Sequence, residues 1–496
     1  MDSSIILLTF TVYLAVLLGI GIAAWKRTHD LADYILGGRK LGSLVAALSA
    51  GASDMSGWLL LGLPGYAYVA GLEAIWIGIG LLVGIWFNWK LVAARLRTYT
   101  ELAGNALTLP DFFEQRYQDT SRLLRIVSAL LILFFFLIYT SSGLVAGGKL
   151  FTTVFGLPYQ WAVVTGTLAI VMYTFLGGFL AVSLTDVIQA LLMVFALAVV
   201  PVIAFSHSGD VVATLSELSA ANSDFLNPFS SAAGETLSVT AIISLLAWGL
   251  GYFGQPHILA RFMAIKHESK VPKARRIAMI WSAISMVGAV LAGISGKVYF
   301  SEVLADSEKV FILLVESLFH PVIAGICLAA ILSAIMSTAD SQLLVAASAL
   351  TEDFYKALFR KDASQRELIW LGRVTVVVVA AVACVMAMNP ANKVLDLVAY
   401  AWAGFGASFG PLILFSLFWK RTNRNGALAG IVSGGLMVIV WKQLSGGIFD
   451  MYEIVPGFVV SAFAIALFSL TGQQPSVEQR LCFNKVTAKR QENMTS

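Results

Sequence analysis

The sequence predicts an all-α polytopic membrane protein of about 13 transmembrane helices: a five-plus-five inverted repeat with one extra N-terminal and two extra C-terminal helices. Three observations predict it. Only 12% of the residues are charged, against roughly 25% in a soluble chain, which is too few to solvate a globular surface. Apolar runs of about 20 residues, each able to cross a hydrocarbon core of about 30 Å, recur from end to end. Two of these runs, five spans apart, are interrupted by small polar residues and glycines.

The first run, Ile5 to Ala24, is longer than a signal core, and residues 1–4 hold Asp2 but no basic residue. It reads as a first span at 5–25, followed by Lys26 and Arg27. Further spans are expected near 42–63, 73–91, 124–148, 160–179, 183–206, 237–256, 277–299, 312–351, 369–388, 395–418, 426–443 and 453–471. The 312–351 stretch is too long for one plain crossing and carries an amphipathic lead-in. With the N-terminus outside, alternation leaves Lys149, Lys297, Lys309, Lys393 and Lys442 as the outer basic residues, and 28 of the 33 Lys and Arg on the cytoplasmic side. A missed span would scramble this asymmetry, so the C-terminus is expected inside.

The chain divides into an N-terminal helix and cytoplasmic loop (1–41), a first repeat (42–206), an extracytoplasmic loop (207–236), a second repeat (237–418), two C-terminal helices (419–471) and a cytoplasmic tail (472–496). The 207–236 loop lacks Lys and Arg and has room for a short helix. The tail is polar and is expected to be mobile. No soluble segment is large enough for a catalytic or sensor domain. Cys327, Cys384 and Cys482 have no paired spacing, so neither a disulfide framework nor a zinc site is indicated. No transition-metal set, nucleophile triad or phosphate loop stands out. The chain is not expected to be an enzyme or to carry a cofactor.

The second span contains Ser49-Ala-Gly-Ala-Ser-Asp-Met-Ser-Gly-Trp58, and the seventh contains Trp248-Gly-Leu-Gly-Tyr-Phe-Gly-Gln-Pro256. An odd offset of five spans makes the two helices run in opposite directions, as an inverted repeat requires. Matching broken helices point to a binding site at the bilayer midplane, although such glycines also serve close helix packing. Asp54 lies mid-span, where a carboxylate costs about 2.5–3.5 kcal/mol on insertion, and is a functional candidate or a cap at the break. Ser53, Ser56 and Gly57 add oxygens and permit unwinding.

In the ninth span Ala334, Ser337 and Thr338 share a helical face. Their oxygens, with carbonyls of a broken partner, suit a hard monovalent cation such as sodium; a small-residue packing stripe is the alternative. Tyr139, Gly143 and Gly147 share a face of the fourth span, either for packing or to bring the Tyr139 hydroxyl to a ligand. Asp186 opens the sixth span after the turn at Gly177-Gly178, as a helix cap or on an ion exit. His257 and the basic run Arg261 to Arg276 are expected in a cytoplasmic loop against anionic headgroups, with no nucleic-acid role.

These residues resemble the sodium/solute symporter family. Gly177 to Gln189 resembles one family signature, and Gly404 to Gly430, with Phe418-Trp-Lys-Arg, resembles another. Tyr34-Ile-Leu-Gly-Gly-Arg39, Ser49 to Trp58, Asn105-Ala-Leu-Thr-Leu-Pro110 and Trp248 to Met263 resemble its bacterial proline-carrying branch. The resemblance implies the leucine-transporter type of fold, a multi-pass place in the bacterial inner membrane with a periplasmic N-terminus, and symport of L-proline with one sodium ion by a functional monomer. It implies sodium ligation by backbone carbonyls of Ala52, Met55 and Ala334 and hydroxyls of Ser337 and Thr338, with Asp54 in support. It places Ser56, Gly57, Trp58, Tyr139, Trp248, Tyr252 and Pro256 around the substrate and Asp186 on the inward release route; Asp340 either ligates or braces the site.

Proline is chemically suited to such a pocket. Its ring is small, rigid and apolar, and Trp58, Tyr139, Trp248 and Tyr252 supply flat walls with a few polar tips. Other readings are a carrier of pantothenate or a monocarboxylate, and a passive ion channel. The inverted pair of broken helices favours a carrier over the channel.

Overall fold

A computed structural model describes residues 3–25, 30–175, 178–207, 209 and 211–495; Lys26, Arg27 and Gly177 lie outside them. Among the described residues all named elements are helical, and β pairing is confined to two isolated bridges, Leu41 with Ile265 and Ser230 with Thr236. This is the form an apolar solvent selects, because a helix satisfies its own backbone groups. Among the described residues ten helices are long and apolar enough to cross a membrane, and two shorter apolar helices, Tyr159–Met172 and Val239–Gly254, occupy expected spans. Burial separates core from rim. Pro321–Phe359 and Val394–Phe418 are each 83% buried in their most apolar window, whereas Ser4–Ala24 is 28% and Ile454–Thr471 is 33%. The outer helices present Leu8, Val12, Val459 and Phe463 outward, as a lipid-facing surface requires.

Both expected breaks are present. The second span is a helix over Ser43–Asp54 that stops at Met55 (φ −86°, ψ 75°) and resumes through a π-turn, Trp58–Gly62, into Leu63–Ala70. The seventh is a helix over Val239–Leu246, a 3-10 segment over Ala247–Gly254, an extended Gln255 and a helix over Pro256–Ala264. Glycine in the seventh also serves close approach. A Cβ on Gly249 would stand 2.1 Å from the Gly80 carbonyl oxygen, and one on Gly254 would stand 2.2 Å from that of Phe405. Packing and breaking are therefore the same feature here, not alternatives.

The 312–351 stretch divides into a lead-in helix, Val310–Leu318, and a long helix, Pro321–Ser348, that continues as a π-helix over Ala349–Phe359. Phe319 and His320 are extended (ψ 147° and 143°), as expected ahead of a proline. Just before the lead-in, Glu308 is buried; it accepts from Lys149 Nζ at 2.7 Å and from Val394 N and Leu395 N at 3.0 Å each. Lys149, expected among the outer basic residues, is buried in an ion pair.

The 207–236 loop holds the helix Val211–Ala221. It is pinned to the turn after the second span, where Leu72 N donates to Phe225 O at 2.8 Å and Trp76 Nε1 to Pro228 O at 2.6 Å. The tail differs from expectation: Val477–Thr495 is a helix. Phe483 and Val486, three residues apart, are buried, and Arg95 stacks over the Phe483 ring at 5.4 Å while bonding Thr487 Oγ1 at 2.9 Å. Two apolar residues on one face dock an otherwise polar segment.

Candidate functional site

In an unbroken helix Ser56 N would donate to Ala52 O. Here it donates to Asp54 O at 3.0 Å, while Met55 N reaches Gly51 O at 2.9 Å. The Ala52 carbonyl thereby loses its intrahelical partner, and the ninth span supplies a replacement. Ser337 Oγ donates to Ala52 O at 2.8 Å and Thr338 Oγ1 does so at 3.4 Å; Ser337 Oγ also lies 3.3 Å from Ala334 O. Four of the five expected ion-site residues, Ala52, Ala334, Ser337 and Thr338, are brought together with their oxygens. Met55, the fifth, is buried at the break, and its non-helical ψ takes its carbonyl out of the helical ladder. Hydroxyls can rotate to offer lone pairs, so this oxygen-only cluster has the chemistry of a hard-cation site.

Asp54, 1% exposed, directs its carboxylate elsewhere. The Tyr252 hydroxyl donates to its Oδ2, while its backbone oxygen accepts from Tyr139 Oη at 3.1 Å and Trp58 Nε1 at 3.3 Å. One residue thus ties the broken second span to the fourth and the seventh, which is a bracing geometry. Around it stand the expected substrate residues. The rings of Trp58 and Trp248 lie 6.0 Å apart, Ser56 Oγ accepts from Trp58 N at 3.4 Å, and a Cβ on Gly57 would meet Ala146 Cβ at 2.6 Å. Pro256 begins the helix after the second break and is buried. A cavity of about 10 Å³ touches Asp54 and Tyr252 on the side of Gly51, Asn88, Trp89 and Ser282, room for no more than one water. Gly143 on the fourth span faces Ile335 at ordinary contact distance, so that part of the face packs.

Asp186 is not a helix cap. It is the eighth residue of the helix Phe179–His207, fully buried, and its Oδ2 accepts from Ser49 Oγ at 2.6 Å and from Arg261 Nη2 at 3.4 Å. Arg261 and His257 are not in a cytoplasmic loop either. Both are fully buried in Pro256–Ala264. Arg261 donates to Ser341 Oγ at 2.5 Å and Ser49 Oγ at 3.1 Å, and stacks over Phe179 at 5.0 Å. The reason is electrostatic: Asp186 supplies the counter-charge that lets a guanidinium leave water. Asp340, also fully buried, accepts from the Thr174 hydroxyl. The sequence reading also missed Asn88, whose Nδ2 donates to Tyr252 O at 2.8 Å, and Trp402, whose Nε1 donates to Trp248 O at 2.7 Å. A charge in the apolar run Pro256 to Ala264 was the available signal for Arg261.

This geometry has relatives. A sodium/proline symporter of Escherichia coli (strain K12) is 53% identical over 496 residues, covering 98% of this chain and 97% of the relative. An osmoregulated proline transporter of Bacillus subtilis (strain 168) is 49% identical over 477 residues, covering 95% and 96%. The substrate-bound outward-open structure of a Na+-coupled sialic acid symporter matches with a TM-score of 0.79 at 19% identity, covering 95% of this chain and 99% of that one; at that identity it shows the shared fold alone. The sodium:solute symporter family model matches residues 34–434. With four-fifths of the sequence inside that match and the broken helices in place, the chain belongs to the sodium:solute symporter family.

Proposed function

We propose that this protein takes up L-proline together with sodium by alternating access. The observation that carries the reading is the contact of Ser337 and Thr338 with the freed Ala52 carbonyl. Near-full-length identity to proteins named sodium/proline symporters supports it and does not favour pantothenate, a monocarboxylate or a channel. Sodium is held by Ala52, Met55, Ala334, Ser337 and Thr338, and Asp54 supports the site by its charge and by its bonds to Tyr252 and Tyr139. Proline lies among Ser56, Gly57, Trp58, Tyr139, Trp248, Tyr252 and Pro256.

The protein makes thirteen crossings, as two inverted repeats of five over 42–206 and 237–418, with the N-terminus periplasmic, the C-terminus cytoplasmic and the monomer as functional unit. In that orientation Ser49 lies about one turn cytoplasmic of Ala52, and Ser341 about one turn cytoplasmic of Ser337. Asp186 bonds Ser49, and Arg261 bonds both serines. These contacts support a role for Asp186 on the inward release route, with Asp340 bracing the site. One positive charge moving inward gains roughly 2.3 kcal/mol per 100 mV.

The test is uptake of labelled proline into proteoliposomes. Concentrative uptake should follow an inward sodium gradient and collapse when potassium replaces sodium; equal uptake under both would overturn the reading. Thr338→Ala removes one oxygen from the ion site. It should raise the half-saturating sodium concentration roughly tenfold, the equivalent of about 1.4 kcal/mol, with little change in thermal stability; an unchanged sodium curve would contradict the ligand role.

A further inference from the structure

The third and eighth spans end at a cleft of about 630 Å³ that the transport reading does not use. Lys90, Arg97, Lys266, Arg275 and Lys489 line it, with His267 beside them and only Glu101 and Glu268 as acids. Both acids are engaged: Arg97 bonds Glu101 at 2.8 Å, and Thr98 Oγ1 donates to Glu268 at 2.6 Å. Among the described residues, Lys90, Lys266, Arg275 and Lys489 have no carboxylate within salt-bridge distance. Four cations from three separate parts of the chain therefore share one concavity with surplus positive charge.

The cleft is preformed. Leu41 N donates to Ala264 O at 3.1 Å, Lys266 N donates to Leu41 O at 3.0 Å, and Arg97 Nε donates to Ile265 O at 2.5 Å. These bonds fix the loop that carries Lys266. On the other wall, Lys90 lies 4.2 Å and Arg275 5.9 Å from the ring centroid of the same indole, Trp86. Cations from two spans are gathered over one ring at the end of the membrane-facing surface. That surface is apolar: Ile79, Val83 and Phe87 form an exposed stripe at four-residue spacing that ends at Lys90.

We propose that this cleft binds the phosphate of an anionic phospholipid headgroup. The cations hold the phosphate, and the Ile79–Val83–Phe87 stripe lies against an acyl chain. A basic pocket between spans with an apolar stripe beneath it matches an amphiphile better than a free anion, and under the orientation proposed above the lipid belongs to the cytoplasmic leaflet. The choice of leaflet rests on that orientation; the binding rests on the cleft and its apolar stripe and does not depend on proline transport.

The test is native mass spectrometry of the full-length protein after exchange into mixed phosphatidylglycerol and phosphatidylcholine micelles. Wild type should retain phosphatidylglycerol in preference to phosphatidylcholine, and excess inorganic phosphate should not displace it. The triple variant Lys90→Gln, Lys266→Gln, Arg275→Gln should lose that preference by on the order of a hundredfold, roughly fivefold per charge, while remaining monodisperse. The conservative triple variant Lys90→Arg, Lys266→Arg, Arg275→Lys should keep it. Equal retention of the two lipids by wild type, or a preference unchanged in the Gln variant, would overturn the proposal. Displacement by inorganic phosphate would overturn the lipid assignment in favour of a free anion.

Discussion

Asp54→Asn is expected to shift sodium activation of proline uptake to on the order of a hundredfold higher concentration while leaving the protein folded. Asp54 is two residues from Ala52, and although its carboxylate turns to Tyr252, a unit charge about 7 Å from a cation at an effective dielectric of about 20 still contributes roughly 2 kcal/mol. Asn is nearly isosteric, and its Oδ1 can still accept from the Tyr252 hydroxyl that Asp54 receives. Its backbone carbonyl still receives Tyr139 and Trp58. The substitution therefore removes charge and keeps the brace. Measured as sodium dependence of uptake at fixed proline, the curve should move and the melting temperature should not. A half-saturating sodium concentration equal to that of wild type would remove Asp54 from the ion site.

The second large effect falls on stability. Arg261→Gln leaves the fully buried Asp186 with Ser49 alone. Breaking a buried ion pair by removing one partner costs about 3–5 kcal/mol, because the remaining charge is unpaired. Asp186→Asn strands Arg261 in the same way. The double variant Arg261→Gln, Asp186→Asn removes both charges and should recover a large part of the loss, giving a coupling energy of roughly 1–3 kcal/mol in a double-mutant cycle. Thermal unfolding of the four proteins in one detergent gives the cycle. Strictly additive losses would mean that the two residues do not stabilise each other.

The sites of helix breakage were legible because glycine and small polar residues in an apolar run have a local cause. The same holds for Ala334, Ser337 and Thr338, whose spacing puts them on one face whatever the tertiary structure. Arg261 was misplaced because counting basic residues by side assigns every one of them to water. Its partner Asp186 is 75 residues away in sequence, and no local pattern announces the pairing. Asp186 was misread for a related reason: the helix begins at Phe179, about one turn earlier than the apolar pattern marks. Phe483 and Val486 are two apolar residues in a polar tail, too few for a periodic signal, yet enough to dock a helix beside Arg95.

The central claim is that one ion joins the second span to the ninth and thereby orders the aromatic pocket. Thermodynamic linkage makes it directly measurable, since sodium must raise proline affinity by the factor by which proline raises sodium affinity. Equilibrium binding of labelled proline to purified protein, titrated across sodium concentrations with choline as replacement, tests it. The account predicts proline affinity that climbs with sodium in wild type and responds far less in Ser337→Ala, Thr338→Ala. Proline bound equally well in choline and in sodium would contradict it.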